Sequence, residues 1–163
     1  MYLGLDLGTS GLKGILITKE QEVVGAAECN YSVQNLRTGW SEQNPSDWIR
    51  ACENVMLSLS NHFPAQILEL RGIGISGQMH GAVLLDKNGN VIRPCMLWND
   101  TRSYTQAQRM DEGDLFRGIS GNIVFPGFTA PKVSWVEENE PENFKKIASI
   151  LLPKDYLRFW LTG

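Results

Sequence analysis

The sequence predicts an α/β domain built on a mixed sheet. Three observations carry that reading. Leu3, Leu5 and Leu7 alternate with Gly4 and Asp6 at the two-residue period of a strand; Trp48, Cys52, Val55 and Leu59 recur at helical spacing; and beyond residue 70 short apolar runs alternate with helical segments.

The elements follow in order. Residues 2–7 and 15–17 form two apolar runs around a Gly-containing loop, which reads as a β-hairpin. Residues 22–28 supply a third strand, entered by a turn near Glu20-Gln21, so the chain opens as a meander. Residues 31–44 are polar and turn-rich. Asn44-Pro45 then opens a helix, with Asn as cap and Pro at the first helical position. Residues 70–76 read as a glycine-thinned strand, followed by a turn at Gln78-Met79-His80-Gly81 and a partner strand over residues 82–85. Asp86-Lys87-Asn88-Gly89-Asn90 is a hairpin turn, and residues 91–98 continue extended around Pro94. One or two helices span residues 103–117, a long loop residues 118–131, and a helix begins at Val133. Pro141 opens a short helix, residues 147–152 form a strand, and residues 154–161 a last helix.

Composition narrows the function classes. With 163 residues, 42% hydrophobic and 20% charged, the chain has enough apolar material for a real core and is not a disordered segment. A net charge of −3 gives no electrostatic footprint for nucleic acid or an anionic membrane. No apolar run reaches membrane-spanning length, and Cys29, Cys52 and Cys95 form no C-x-x-C pair. A reducing cytoplasm is the expected compartment.

The chemistry concentrates in the first hairpin. Asp6 stands on the strand face opposite the leucines, beside the loop Gly8-Thr9-Ser10-Gly11. Gly8 and Gly11 let the backbone turn and approach a ligand; successive N–H groups in such a turn form an anion-binding nest. The hydroxyls of Thr9 and Ser10 add donors, Lys13 a cation, and Asp6 an oxygen ligand suited to Mg²⁺. Two readings stay open on the residues alone: a phosphate loop beside a metal site, or a plain hairpin turn with a solvated acid. The stretch fits neither G-x-x-x-x-G-K-[ST] nor G-x-G-x-x-G. Further along, Gln78 and His80 offer donors and acceptors suited to hydroxyl groups, in a Gly-flanked turn past a strand end. Trp98-Asn99-Asp100-Thr101-Arg102 sets an aromatic face beside an amide, an acid and a guanidinium. Taken alone, that segment fits a polyhydroxylated ligand or a core Trp with a structural ion pair.

The run Gly4-Leu5-Asp6-Leu7-Gly8-Thr9-Ser10-Gly11-Leu12-Lys13 resembles the first phosphate loop of the actin, hsp70 and sugar-kinase superfamily, and within it the start of an FGGY-type carbohydrate kinase. Ile73-Gly74-Ile75-Ser76-Gly77-Gln78-Met79-His80-Gly81 resembles the sugar-contacting turn of xylulokinases. Leu97-Trp98-Asn99-Asp100-Thr101-Arg102 resembles their W-N-D-x-R segment. Gly121-Asn122, Pro126-Gly127-Phe128-Thr129-Ala130-Pro131-Lys132 and Leu151-Leu152-Pro153-Lys154-Asp155-Tyr156-Leu157 are also similar to that group. The resemblance spans essentially the whole chain.

It implies a ribonuclease-H-like fold, a mixed sheet flanked by helices, and phosphorylation of a ketopentose by ATP and Mg²⁺, D-xylulose to D-xylulose 5-phosphate. By the same resemblance, Asp6 orients the metal and serves catalysis, while Gly8, Thr9, Ser10 and Lys13 hold the phosphates. Gln78, Met79, His80, Asn99, Asp100 and Arg102 are the expected sugar-pocket residues, with an Asp100–Arg102 structural pair left open. The resemblance also implies that residues 1–163 are part of the first of two lobes, with the general base, second phosphate loop and adenosine site beyond residue 163. The 163 residues alone are then expected to be inactive, and the uncovered sheet edge points to a homodimer. Gluconate, glycerol or ribulose kinases, or a non-catalytic actin-like nucleotide-binding domain, are the alternatives.

Overall fold

The computed structural model describes residues 1–163, which divide into two compact units. The first comprises residues 1–33, 45–78 and 154–163; the second, residues 34–44 and 79–153.

The first unit is built on a four-stranded sheet in the order β3-β2-β1-β5. Strands β1 (Tyr2–Leu7), β2 (Gly11–Ile17) and β3 (Val23–Asn30) form the expected antiparallel meander, and β5 (Gly72–Gly77) joins β1 in parallel, so the sheet is mixed. The alternation read in β1 is obeyed: Leu3, Leu5 and Leu7 are buried, with Leu12 and Leu16 beside them. They pack under α1 (Pro45–His62), whose buried face carries Trp48, Ala51, Cys52, Val55 and Leu59. The helix lies close to the sheet because Gly14 has no side chain; a Cβ there would stand 2.5 Å from Val55 Cγ1. Helix α7 (Pro153–Thr162) adds Leu157 and sets Tyr156 edge-on to Trp48, ring centres 6.4 Å apart. A short helix, α2 (Pro64–Leu68), which the sequence pattern did not suggest, leads into β5.

The second unit holds two small ladders, β4 (Glu42–Gln43) with β7 (Cys95–Met96), and β6 (Val83–Leu85) with β8 (Ser149–Leu151). Around them lie α3 (Tyr104–Asp111), α4 (Leu115–Ser120), α5 (Thr129–Asn139) and α6 (Pro141–Phe144). Its core gathers Ala82, Leu84, Met96 and Val136. Two expectations are corrected here. Residues 82–85 do not partner the strand at 70–76; β6 pairs antiparallel with β8, Val83 opposite Leu151. The loop expected over residues 118–131 is partly helical: α4 runs to Ser120, and α5 begins at Thr129 rather than Val133. Pro131 is tolerated because it stands in the first turn of α5, where a backbone N–H has no intrahelical acceptor. The turn at residues 86–90 forms as expected, with Gly89 at φ +80° and the Asp86 carboxylate accepting from the Asn88 and Asn90 N–H groups.

Candidate functional site

In the first unit the site grows from one face of the sheet. With the leucines turned toward α1, the opposite face of β1 presents Gly4 and Asp6, and the parallel register sets Gly74 beside Gly4 and Ser76 beside Asp6. Asp6 is exposed, and Ser76 Oγ donates to its Oδ1 at 2.8 Å. A Cβ on Gly74 would meet nothing within 4 Å, whereas one on Gly4 would lie 3.1 Å from Ile15 Cγ2, so Gly74 leaves a depression open and Gly4 makes room for Ile15. That depression, about 390 Å³, is lined by Gly4, Asp6, Lys13, Gly74 and Ser76 among others.

The loop at residues 8–10 closes with the Gly8 N–H donating to Gly11 O at 3.0 Å, while the Tyr31 N–H donates to Ser10 O at 3.1 Å. The Gly8 carbonyl accepts from Tyr31 Oη at 2.7 Å and lies 3.5 Å from Gln78 Nε2. Burial, and then the charge of Asp6, holds the Tyr31 phenol well above its ordinary range, so it stays a donor. Gly8 and Gly11 were expected to supply turn conformations, yet neither has a positive φ. What Gly11 supplies is room: a Cβ there would lie 2.6 Å from Asn30 Oδ1 and 2.9 Å from the Cys29 carbonyl. Gly11→Ala is expected to cost about 1–3 kcal/mol through that clash with backbone, read as a lower denaturant midpoint. Lys13 is exposed and pairs with Glu28 across β2 and β3 at 3.6 Å. Thr9 is half-buried and Ser10 exposed. Gln78, expected at the sugar, is 8% exposed and directs its amide to the loop carbonyl, which makes it a brace of the loop.

The second unit holds the other expected residues. Met79 is 61% exposed. His80 adopts φ +60°, a left-handed conformation that non-glycine residues rarely take. Its carbonyl accepts from Thr129 Oγ1 at 3.2 Å and from Lys132 Nζ at 2.8 Å, and its ring lies 4.6 Å from that of Phe128. Burial, then the Lys132 charge, lowers the His80 pKa, favouring the neutral imidazole that both donates and accepts. Lys132 is fully buried and also donates to the Gly127 carbonyl. Desolvation pushes its ammonium down to about 8.

Asn99 is exposed, whereas Asp100 and Arg102 form a buried ion pair, the structural alternative left open for that segment. Asp100 is fully buried and its oxygens are taken: Oδ2 accepts from the Ser41 N–H at 2.7 Å and from Arg102 Nη2 at 2.6 Å, and Oδ1 from the Arg102 N–H at 3.0 Å. Arg102 Nη1 reaches Glu42 Oε1 at 2.8 Å, and Arg93 bonds Glu42 at 2.5 Å and Glu140 at 3.0 Å. The Arg102 guanidinium stacks 3.5 Å from the Trp40 ring centre, which stands edge-on to Trp135. The adjacency of Asp100 and Arg102 satisfied both open readings of that segment; the partners that decide between them, Ser41, Glu42 and Trp40, are remote in sequence. Tyr31, Ser76, Thr129 and Lys132 carried no assigned role from the sequence, since each acts through a carbonyl or carboxylate that no local pattern identifies.

The model of the N-terminal domain of the FGGY family of carbohydrate kinases matches residues 1–163. A xylulose kinase from Klebsiella pneumoniae is 45% identical over 164 residues, covering 100% of this chain and 34% of the relative. One from Bacillus subtilis is 46% identical over 163 residues, covering 99% and 33%. The crystal structure of a xyloylose kinase from Brucella ovis superposes with a TM-score of 0.97 at 55% identity, covering 98% of this chain and 33% of that one. The chain thus spans about a third of the length of these relatives.

Proposed function

This chain belongs to the FGGY family of carbohydrate kinases, of the actin/hsp70/sugar-kinase fold, and from that premise we propose that the complete enzyme phosphorylates a ketopentose with MgATP, D-xylulose before other sugars. The observation that supports this most is the exposed Asp6 carboxylate on an open, glycine-lined sheet face, beside a loop whose backbone is braced from below. Carbohydrate kinases of this family use ATP and Mg²⁺ in general. The donor set fits that pair: Mg²⁺ is held through one or two carboxylates together with phosphates and water, and Asp6 offers one exposed hard oxygen donor. When bound, the metal neutralises charge on the phosphoryl oxygens.

The chain's own residues then have distinct tasks. Asp6 would hold Mg²⁺ or its water shell, with the Ser76 hydroxyl donating to the carboxylate. Gly8, Thr9 and Ser10 hold the phosphates, and Lys13 adds positive charge nearby. Tyr31 and Gln78 keep the loop in one conformation, so little reorganisation is needed when charge develops. Met79, His80 and Asn99 contact the sugar, His80 as neutral imidazole.

A panel of sugars with MgATP and the complete enzyme tests this. Phosphorylation of D-xylulose well above D-ribulose, gluconate and glycerol is the expected outcome; a different preferred sugar overturns the specificity, and no turnover on any sugar leaves a nucleotide-binding role. His80→Ala is expected to raise the Michaelis constant for the sugar about tenfold, the equivalent of ~1.4 kcal/mol, with that for ATP nearly unchanged.

A further inference from the structure

His80 holds an unfavourable backbone conformation, and residues 128–132 supply two donors to its carbonyl and an aromatic contact to its ring. An imidazole-bearing residue at φ +60° is strained and persists only where its surroundings over-determine it. Here the determinants are specific. Thr129 Oγ1 and Lys132 Nζ both donate to the His80 carbonyl, at 3.2 and 2.8 Å, so both lone pairs of one oxygen are occupied. Phe128 lies against the ring with centres 4.6 Å apart. The supporting segment is itself anchored: Lys132 donates to Gly127 O, and Ser103 Oγ donates to Pro126 O at 2.9 Å. A Cβ on Gly127 would lie 2.4 Å from the Trp98 carbonyl, so this backbone is seated directly on the segment that carries Asn99.

A fully buried ammonium is an expensive way to satisfy two carbonyls. Packing alone would be served as well by an apolar side chain of similar length. What a lysine adds is a charged donor that reaches from the first turns of α5 to the turn at His80, with a hydroxyl on Thr129 aimed at the same atom.

We propose that Thr129 and Lys132 are positioning residues for the sugar contact made by His80, locking it in its left-handed conformation so that its imidazole is presented in one orientation. The proposal rests on the reading that His80 contacts the sugar. It assigns to the start of α5 a share in sugar affinity without any contact of its own with the substrate.

The test uses the complete enzyme. Thr129→Val keeps the shape and removes only the hydroxyl, and Thr129→Ser restores it. Loss of one such hydrogen bond is expected to raise the Michaelis constant for D-xylulose about fivefold to tenfold, with the ATP constant and thermal midpoint little changed and near-normal values regained in Thr129→Ser. Lys132→Met is expected to go further in the same direction. Where it fails to fold, the Thr129 pair carries the test. His80→Gly supplies the control, because glycine adopts the conformation freely and has no ring. In that background Thr129→Val is expected to have no added effect on sugar use. An unchanged sugar constant in Thr129→Val, with a raised one in His80→Gly, overturns the positioning role alone. An unchanged sugar constant in His80→Gly overturns the sugar-contact reading and the positioning role together.

Discussion

Asp6→Ala in the complete enzyme is expected to lower turnover by about a hundredfold or more, ~2.7 kcal/mol in the barrier, while the protein stays folded. The side chain is exposed, and its loss removes the Ser76 hydrogen bond and nothing from the core of Leu3, Leu5 and Leu7. The stability change should therefore stay within about 0.5 kcal/mol. Asp6→Asn isolates the charge: it preserves size and leaves an oxygen for Ser76, so a loss close to that of Asp6→Ala assigns the effect to the carboxylate's charge. Steady-state kinetics at saturating sugar, with Mg²⁺ varied, provide the measurement. Activity kept within about tenfold, ~1.4 kcal/mol, would refute the metal-orienting role of Asp6 and with it the phosphate-loop reading.

The second large effect concerns stability. Asp100→Ala is expected to destabilise the second unit by about 3–5 kcal/mol, because it leaves the Arg102 guanidinium buried with half its partners gone and the Ser41 N–H without an acceptor. The pair sits among mutually dependent charges, Arg93, Arg102 and Lys132 set against Glu42, Asp100 and Glu140, so removal of one member disturbs the rest. Trp40 and Trp135 report on it directly, since the Arg102 guanidinium lies against both rings. Their fluorescence transition should move to markedly lower urea. A loss below about 1 kcal/mol together with a weakened sugar constant would instead restore Asp100 to the pocket.

Most of the secondary structure was legible in the sequence, for a local reason. The alternation of Leu3, Leu5 and Leu7, the helical spacing of Trp48, Cys52, Val55 and Leu59, and the Asn-Gly turn at residues 88–89 each encode their geometry within a few residues. Short apolar runs were less informative. Val83-Leu84-Leu85 is identifiable as a buried strand, yet nothing in it specifies Ser149–Leu151 over Gly72–Gly77 as partner, because ladder hydrogen bonds are made by backbone common to all residues. The start of α5 was missed because Pro131 reads as a loop residue unless it falls in a first turn.

The site divides in the same way. By itself the sequence determined which chemistry-bearing residues exist and placed Asp6 on the face opposite a leucine row, since the strand period alone dictates that. Only the tertiary structure decided that Asp100 and Arg102 are consumed by Ser41, Glu42 and Trp40, that Gln78 braces the Gly8 carbonyl, and that Thr129 and Lys132 hold His80. A charged side chain has the same local signature whether it meets a ligand or a buried partner. The difference lies in what distant segments bring within about 3 Å of it, and in whether water is excluded when they do.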